Sequence, residues 1–240
     1  MKPLLLSLSL LAVIPATSHA QAAGSVLVSA GWMHLAPQSS SGPLTLTSVG
    51  GASVNTGIPH TGIEAGSSDT LGLSATYFVT DHVAPELVFG IPSTFDLEGR
   101  GALASYGKLG SAKQWSPALL LKYYFRDPQA RLRPYAGVGV TRIWFTGASV
   151  TNSTFEQKAL GGSTTVSTDR SWAPVLNLGV NYAVTEHWFA GFSLSYIPVS
   201  VTARLNTAVP SPVGTIPVQS QTKIRLNPIV AFVNASYRFR

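Results

Sequence analysis

The residues able to do acid–base, nucleophilic or metal chemistry are few and far apart. Histidines stand at positions 19, 34, 60, 82 and 187, none with a partner at metal-ligand spacing, and cysteine is absent. No nucleophile elbow or helical metal motif occurs. His34, Glu64 and a serine from a connecting segment are the right types for a hydrolase triad, but nothing in their spacing brings them together. The expectation is therefore no catalytic residue, no metal and no cofactor. What remains is a small ionisable set, Glu86, Lys122, Arg133 and Arg238, with Asn181 nearby, each set in an otherwise apolar, alternating stretch. The chemistry open to them is ion pairing in a confined interior. They either satisfy the floor of that interior or relay a proton or ion through it.

The elements that must position them are long strands. From Ser171 to Val184 the apolar Trp172, Leu176, Leu178, Val180 and Tyr182 alternate with Ala173, Asn177, Gly179 and Asn181. After Thr185-Glu186-His187 the pattern resumes, with Trp188, Phe192, Leu194 and Tyr196 against Phe189, Gly191, Ser193 and Ser195. Period-two alternation places one apolar and one small or polar face on each arm. Each apolar face carries Trp at one end and Tyr at the other. Such rings sit at the two headgroup levels of a strand tilted across a bilayer. The hairpin reads as transmembrane.

Targeting agrees. Met1-Lys2-Pro3, an apolar run from Leu4 to Ile14 and Ser18-His19-Ala20 describe a signal peptide over residues 1–20, leaving residues 21–240 as one barrel domain. The apolar run is too short to span a membrane as a helix. Charged residues are 11 % of the chain, where a soluble domain carries about a quarter, and they avoid strand centres. The net charge of +6 comes from scattered side chains, with no stripe of Lys, Arg and aromatics. That argues against nucleic acid as a partner.

Eight strands are expected. They run over Ser25–Leu35, Thr70–Val79, Val83–Ile91, Gln114–Phe125, Leu132–Phe145, Ser171–Val184, Trp188–Tyr196 and Lys223–Phe239. Short turns follow the second, fourth and sixth. Long Ser/Thr/Gly/Pro-rich connections fill the other gaps, at 36–68, from Ile91 to Lys113, at 146–168 and at 202–222, the third holding one helical turn near Phe155–Lys158. This is the layout of an all-β, eight-stranded antiparallel transmembrane β-barrel with four long extracellular loops and short periplasmic turns. An even number of strands closes without an edge, as lipid requires. Prolines 85, 117, 134, 174, 198 and 228 each remove a ladder donor, so local bulging is expected.

Several stretches resemble the OmpW-type outer-membrane proteins. They include Asp69-Thr70-Leu71-Gly72-Leu73-Ser74-Ala75-Thr76-Tyr77-Phe78 with Glu86 following, and Pro117–Phe125. Arg133-Pro134-Tyr135-Ala136-Gly137, Leu178-Gly179-Val180-Asn181-Tyr182 and the terminal Tyr237-Arg238-Phe239 complete the set. Together they cover most strands; the long connections do not match. The resemblance implies the outer membrane of a Gram-negative cell and a narrow, apolar-lined lumen associated with passage of small hydrophobic molecules. It also implies a C-terminal strand read by the barrel assembly machinery, although Arg240 here follows the usual terminal aromatic.

Strand phase gives a separate reading of that lumen. Inward positions on the turn side are Glu86, Lys122, Arg133 and Arg238, an ion-paired floor. Inward positions on the loop side are Met33, Leu35, Ile143, Phe145, Ile197, Val199, Ile224 and Leu226, an apolar cup. An eight-stranded barrel holds only its own side chains or one small ligand, so the cup is either plain filling or a binding site for hydrophobic solutes. Arg142, Lys223 and Arg225 face outward near the loop side, where they either meet lipopolysaccharide phosphates or extend to water. The alternative to a conduit is a surface-interaction or structural barrel acting through its loops, as an adhesin or a phage or bacteriocin receptor does.

Overall fold

The computed structural model describes residues 21–239. The signal peptide expected at 1–20 and the terminal Arg240 lie outside the described residues. The chain is an all-β, closed, eight-stranded antiparallel barrel. Its strands are β1 (Val26–Ala36), β2 (Ser68–Tyr77), β3 (Val83–Gly90), β4 (Ala118–Tyr124), β5 (Leu132–Val150), β6 (Ser171–Ala183), β7 (Trp188–Tyr196) and β8 (Ile229–Phe239). Each pairs with the next, and β1 closes on β8 with Val26 opposite Phe239 and Ala36 opposite Ile229. No edge is left for lipid to meet. Among the described residues no helix is long and apolar enough to cross a membrane.

Alternation sorts the side chains as the pattern requires. Leu71, Leu73, Leu87, Leu119, Leu121, Val138, Leu176, Leu178 and Phe192 are exposed on the outer wall, with Tyr77, Tyr123, Trp172, Trp188 and Tyr196 toward its two rims. Their partners Ser74, Thr76, Glu86, Lys122, Asn177 and Asn181 are buried inside. So continuous an outward apolar band suits the hydrocarbon layer of a bilayer.

Two of the short turns share one construction. In Thr80-Asp81-His82 the Thr80 hydroxyl accepts the Val83 N–H at 2.9 Å, and in Thr185-Glu186-His187 the Thr185 hydroxyl accepts the Trp188 N–H at 3.0 Å. The following histidine then stacks on an interfacial tyrosine, His82 on Tyr123 and His187 on Tyr237. A side-chain oxygen standing in for a backbone carbonyl is what lets so short a turn close.

The long connections are themselves β-structure, where their Ser/Thr/Gly/Pro-rich composition predicts loops. Leu44–Val49 pairs with Ala52–Ile58, Ser93–Gly101 with Lys108–Trp115, and Ser200–Ser211 with Gly214–Arg225. These hairpins, Thr61–Ala65 and Ser163–Thr168 pair onto one another and onto the outer end of β5, extending the barrel wall outward. The seam between Ser39–Ser41 and Ile63–Ala65 is closed by side chains: Ser41 Oγ accepts the Ile63 N–H at 2.6 Å, and Ser39 Oγ the Ala65 N–H at 3.0 Å. The helical turn falls at Ser153–Leu160, capped by Asn152.

The membrane strands and their outward extensions are separated by breaks at Pro37, Pro92, Pro117, Pro198 and Pro228, while β5 runs through unbroken. This corrects two expected strands. The one placed from Gln114 breaks at Ser116-Pro117, and the one placed from Lys223 breaks at Leu226–Pro228. Proline offers no ladder donor, and Asn227 adds a left-handed backbone, φ 36°. Its side chain compensates by accepting the Val199 N–H at 3.1 Å.

Candidate functional site: a two-chambered lumen over a sealed floor

The floor is built from β2–β6. Glu86 on β3 and Lys122 on β4 point into the same space and form an ion pair, both almost fully buried. Thr76 donates its hydroxyl to the other Glu86 oxygen at 3.1 Å, and the Lys122 ammonium lies 4.2 Å from the centre of the Tyr135 ring. These contacts replace much of the hydration that both charges lose.

Arg133 does not join that pair. It lies nearer the turn side and is 1 % exposed. Its guanidinium donates to backbone carbonyls of Gln21 (2.9 Å), Asp81 (2.5 Å) and Arg126 (3.1 Å), and it lies 4.8 Å over the Tyr124 ring. Phe78, Tyr124 and Tyr135 pack in sequence beside it, with centroids 5.0 Å apart at each step. Arg133 thus ties the N-terminal segment and two turns into a plug. Arg238 is half-buried at the turn-side rim, beside Ala22, Gly24 and His187, rather than in the floor. The expected four-residue floor resolves into one ion pair, one carbonyl-bound arginine and one rim arginine.

Above the floor the lumen holds two small chambers of about 50 Å³ each. The lower is lined by Met33, Leu35, Val88, Leu120, Val175, Ile197, Val230 and Phe232, with Glu86, Asn177, Ser193 and Ser195 at its polar end. The upper lies within the outer wall and is lined by Leu35, Phe95, Leu97, Phe145, Val166, Val201, Ile224 and Leu226. Leu35, Gln114 and Pro228 line both and form the neck between them. Of the expected cup residues, Ile143 and Val199 belong to the surrounding buried apolar cluster and face neither chamber.

Phe95, Leu97 and Val166 lie in segments whose composition reads as loop, and Val201 lies between the expected seventh strand and the connection at 202–222. The signal was present: Phe95 and Leu97 alternate with Thr94, Asp96 and Glu98, and Val201, Ala203 and Leu205 with Thr202 and Arg204. The lower chamber also depends on Gly72, where an added Cβ would lie 2.7 Å from both Met33 Cε and Phe232 Cε2.

The triad-like set disperses. His34 Nδ1 bonds Asp69 at 2.7 Å on the outer surface, while Glu64 pairs with Arg100. Among the described residues no group of three or more His, Asp or Glu is placed to hold a metal.

Comparison with known proteins places this geometry. The OmpW family model matches residues 22–239. Outer membrane protein AlkL of Ectopseudomonas oleovorans is 29% identical over 182 residues, 76% of this chain and 71% of that protein. Outer membrane protein W of Salmonella typhi is 29% identical over 198 residues, 82% and 85% of the two chains. Among solved structures, the outer membrane protein OprG from Pseudomonas aeruginosa superposes with a TM-score of 0.78 at 27% identity, covering 92% of this chain and 99% of that one.

Proposed function

The chain belongs to the OmpW family of outer-membrane proteins, and from that premise we propose that it conducts small hydrophobic solutes through its apolar-lined lumen. The observation that carries the reading is the pair of apolar chambers stacked over a sealed polar floor. A solute arriving from outside meets Phe95, Phe145 and Leu226 first, passes the neck at Gln114 and reaches the Met33–Phe232 chamber.

The chambers are narrow as they stand. Each holds about 50 Å³, against roughly 300–1,000 Å³ for a pocket that encloses a ligand. An apolar chain enters only by turning aside Met33, Leu35 and Phe145. A solute burying about 200 Å² gains about 5 kcal/mol, from which side-chain rearrangement and solute ordering subtract. Affinity is then weaker than about 0.2 mM, as a conduit that must release its cargo requires.

The floor opposes a straight path to the periplasm, because opening it would separate Glu86 from Lys122 in a poorly hydrated space. Exit sideways at the level of the strand breaks leaves that pair intact. No cofactor or energy source enters this scheme. The test is uptake of an apolar fluorescent probe by cells with and without the protein. Faster uptake that is lost in Leu226→Asp is expected, and equal uptake by that variant would overturn the reading.

A further inference from the structure

One open concavity lies outside the barrel. A groove of about 590 Å³ runs along the wall where β4 breaks at Pro117. Its floor is lipid-facing: Leu87 from β3, Pro117 and Leu119 from the β4 segment, and Val140 from β5. Its upper rim carries Arg142, Trp144, Arg170 and Trp172. Arg142 and Trp172 are cross-strand partners, with the guanidinium 5.7 Å from the indole centre. Trp144 stacks on Trp115 with rings 3° from parallel.

The two arginines at this rim have no acidic partner. Asp169, next to Arg170 in sequence, is engaged by Arg204 through both its oxygens, and neither Arg142 nor Arg170 forms an ion pair among the described residues. Both are exposed, and both stand at the outer end of the membrane-facing wall, on the side of the long connections. Two like charges held there without a carboxylate are complementary to an anion at headgroup level. The apolar floor below supplies little selectivity, since bulk lipid is equally apolar. Discrimination must therefore come from the headgroup.

We propose that this groove is a binding site for a phosphate-bearing glycolipid of the outer leaflet, with Arg142 and Arg170 on its phosphates and an acyl chain along Leu87, Leu119 and Val140. The proposal does not rest on solute passage through the lumen, although Ala118 lines both the groove and the lower chamber. Of the three outward basic residues singled out from the sequence, Arg142 alone lines the groove; Lys223 and Arg225 lie on the outer hairpin away from it.

The test is native mass spectrometry of the refolded barrel in neutral detergent, titrated with bis-phosphorylated lipid A, its dephosphorylated form and phosphatidylglycerol. Arg142→Gln/Arg170→Gln is compared with Lys223→Gln/Arg225→Gln, all exposed positions, with heat-dependent gel migration confirming the folded barrel. The expected result is lipid A binding weakened at least tenfold in the Arg142/Arg170 variant and unchanged in the other. Removing the phosphates should weaken binding to the wild type as much. Equal effects of the two variants, no effect of either, or dephosphorylated lipid binding as tightly would overturn the site. Phosphatidylglycerol binding as tightly as lipid A would overturn the glycolipid assignment.

Discussion

Lys122 lies diagonally across the β3–β4 ladder from Glu86: Glu86 is opposite Leu120 and Lys122 opposite Ala84, and the two side chains meet inside the barrel. The diagonal matters because both residues keep their inward phase while the longer lysine spans the offset. The pair is the upper surface of a plug that Arg133 completes below, and it turns a polar barrel into a closed one.

Removing one partner should therefore cost more than removing both. Lys122→Met leaves Glu86 buried without its cation and should destabilise the barrel by about 3–5 kcal/mol. Adding Glu86→Gln to it should restore most of that. Urea unfolding in bilayers, followed by the gel shift between folded and unfolded forms, measures both; a double variant as unstable as Lys122→Met would contradict the pairing.

The two chambers predict a contrast between glycines. Gly72→Ala forces a Cβ against Met33 and Phe232, whereas at Gly90 the nearest atoms to an added Cβ are 3.5 Å and 3.6 Å away. Solute binding should fall severalfold in the first and hold in the second, in a titration with an apolar fluorophore. Equal behaviour would place the solute elsewhere.

The lipid-facing surface predicts a depth effect. Leu121→Arg on the lipid-facing middle of β4 should cost about 2–4 kcal/mol, while Val213→Arg at the exposed tip of the outer hairpin should cost nearly nothing. Unfolding in bilayers tests this directly. A small cost at Leu121 would contradict the assignment of this wall to lipid.

The barrel was legible because alternation and the Trp/Tyr ends survive in single strands: β7 falls at Trp188–Tyr196 as the pattern placed it. Glu86 and Lys122 were legible for the same reason, since inward phase on neighbouring strands leaves two opposite charges nowhere else to go. Arg133 was legible as inward but not in its role. Its partner Gln21 is distant in sequence, and the carbonyls of Asp81 and Arg126 leave no residue-type signal. The outer wall was hidden by composition. Ser, Thr, Gly and Pro read as loop, while Phe95, Leu97, Val201 and Leu205 carried the alternation in runs that the prolines separate from the membrane strands.

In the lumen, Phe145 from β5 and Leu226 from the break before β8 line the same chamber. An aspartate at either position would place an uncompensated carboxylate among apolar side chains above the membrane strands, and it should lower solute affinity at least tenfold, about 1.4 kcal/mol. Phe145 lies on the outward extension of β5, opposite Gln114, and Leu226 lies outside any strand, so folding should be retained, as gel migration would report.

The most direct measurement is a titration of the refolded barrel with a fluorescent fatty-acid-like probe, beside Phe145→Asp. Saturable binding to the wild type that disappears in the folded variant is the result predicted for a conduit with an apolar chamber in its outer half. Absence of saturable binding by a demonstrably folded wild-type barrel would contradict it, leaving the lumen as packed core and the outer wall as the working surface.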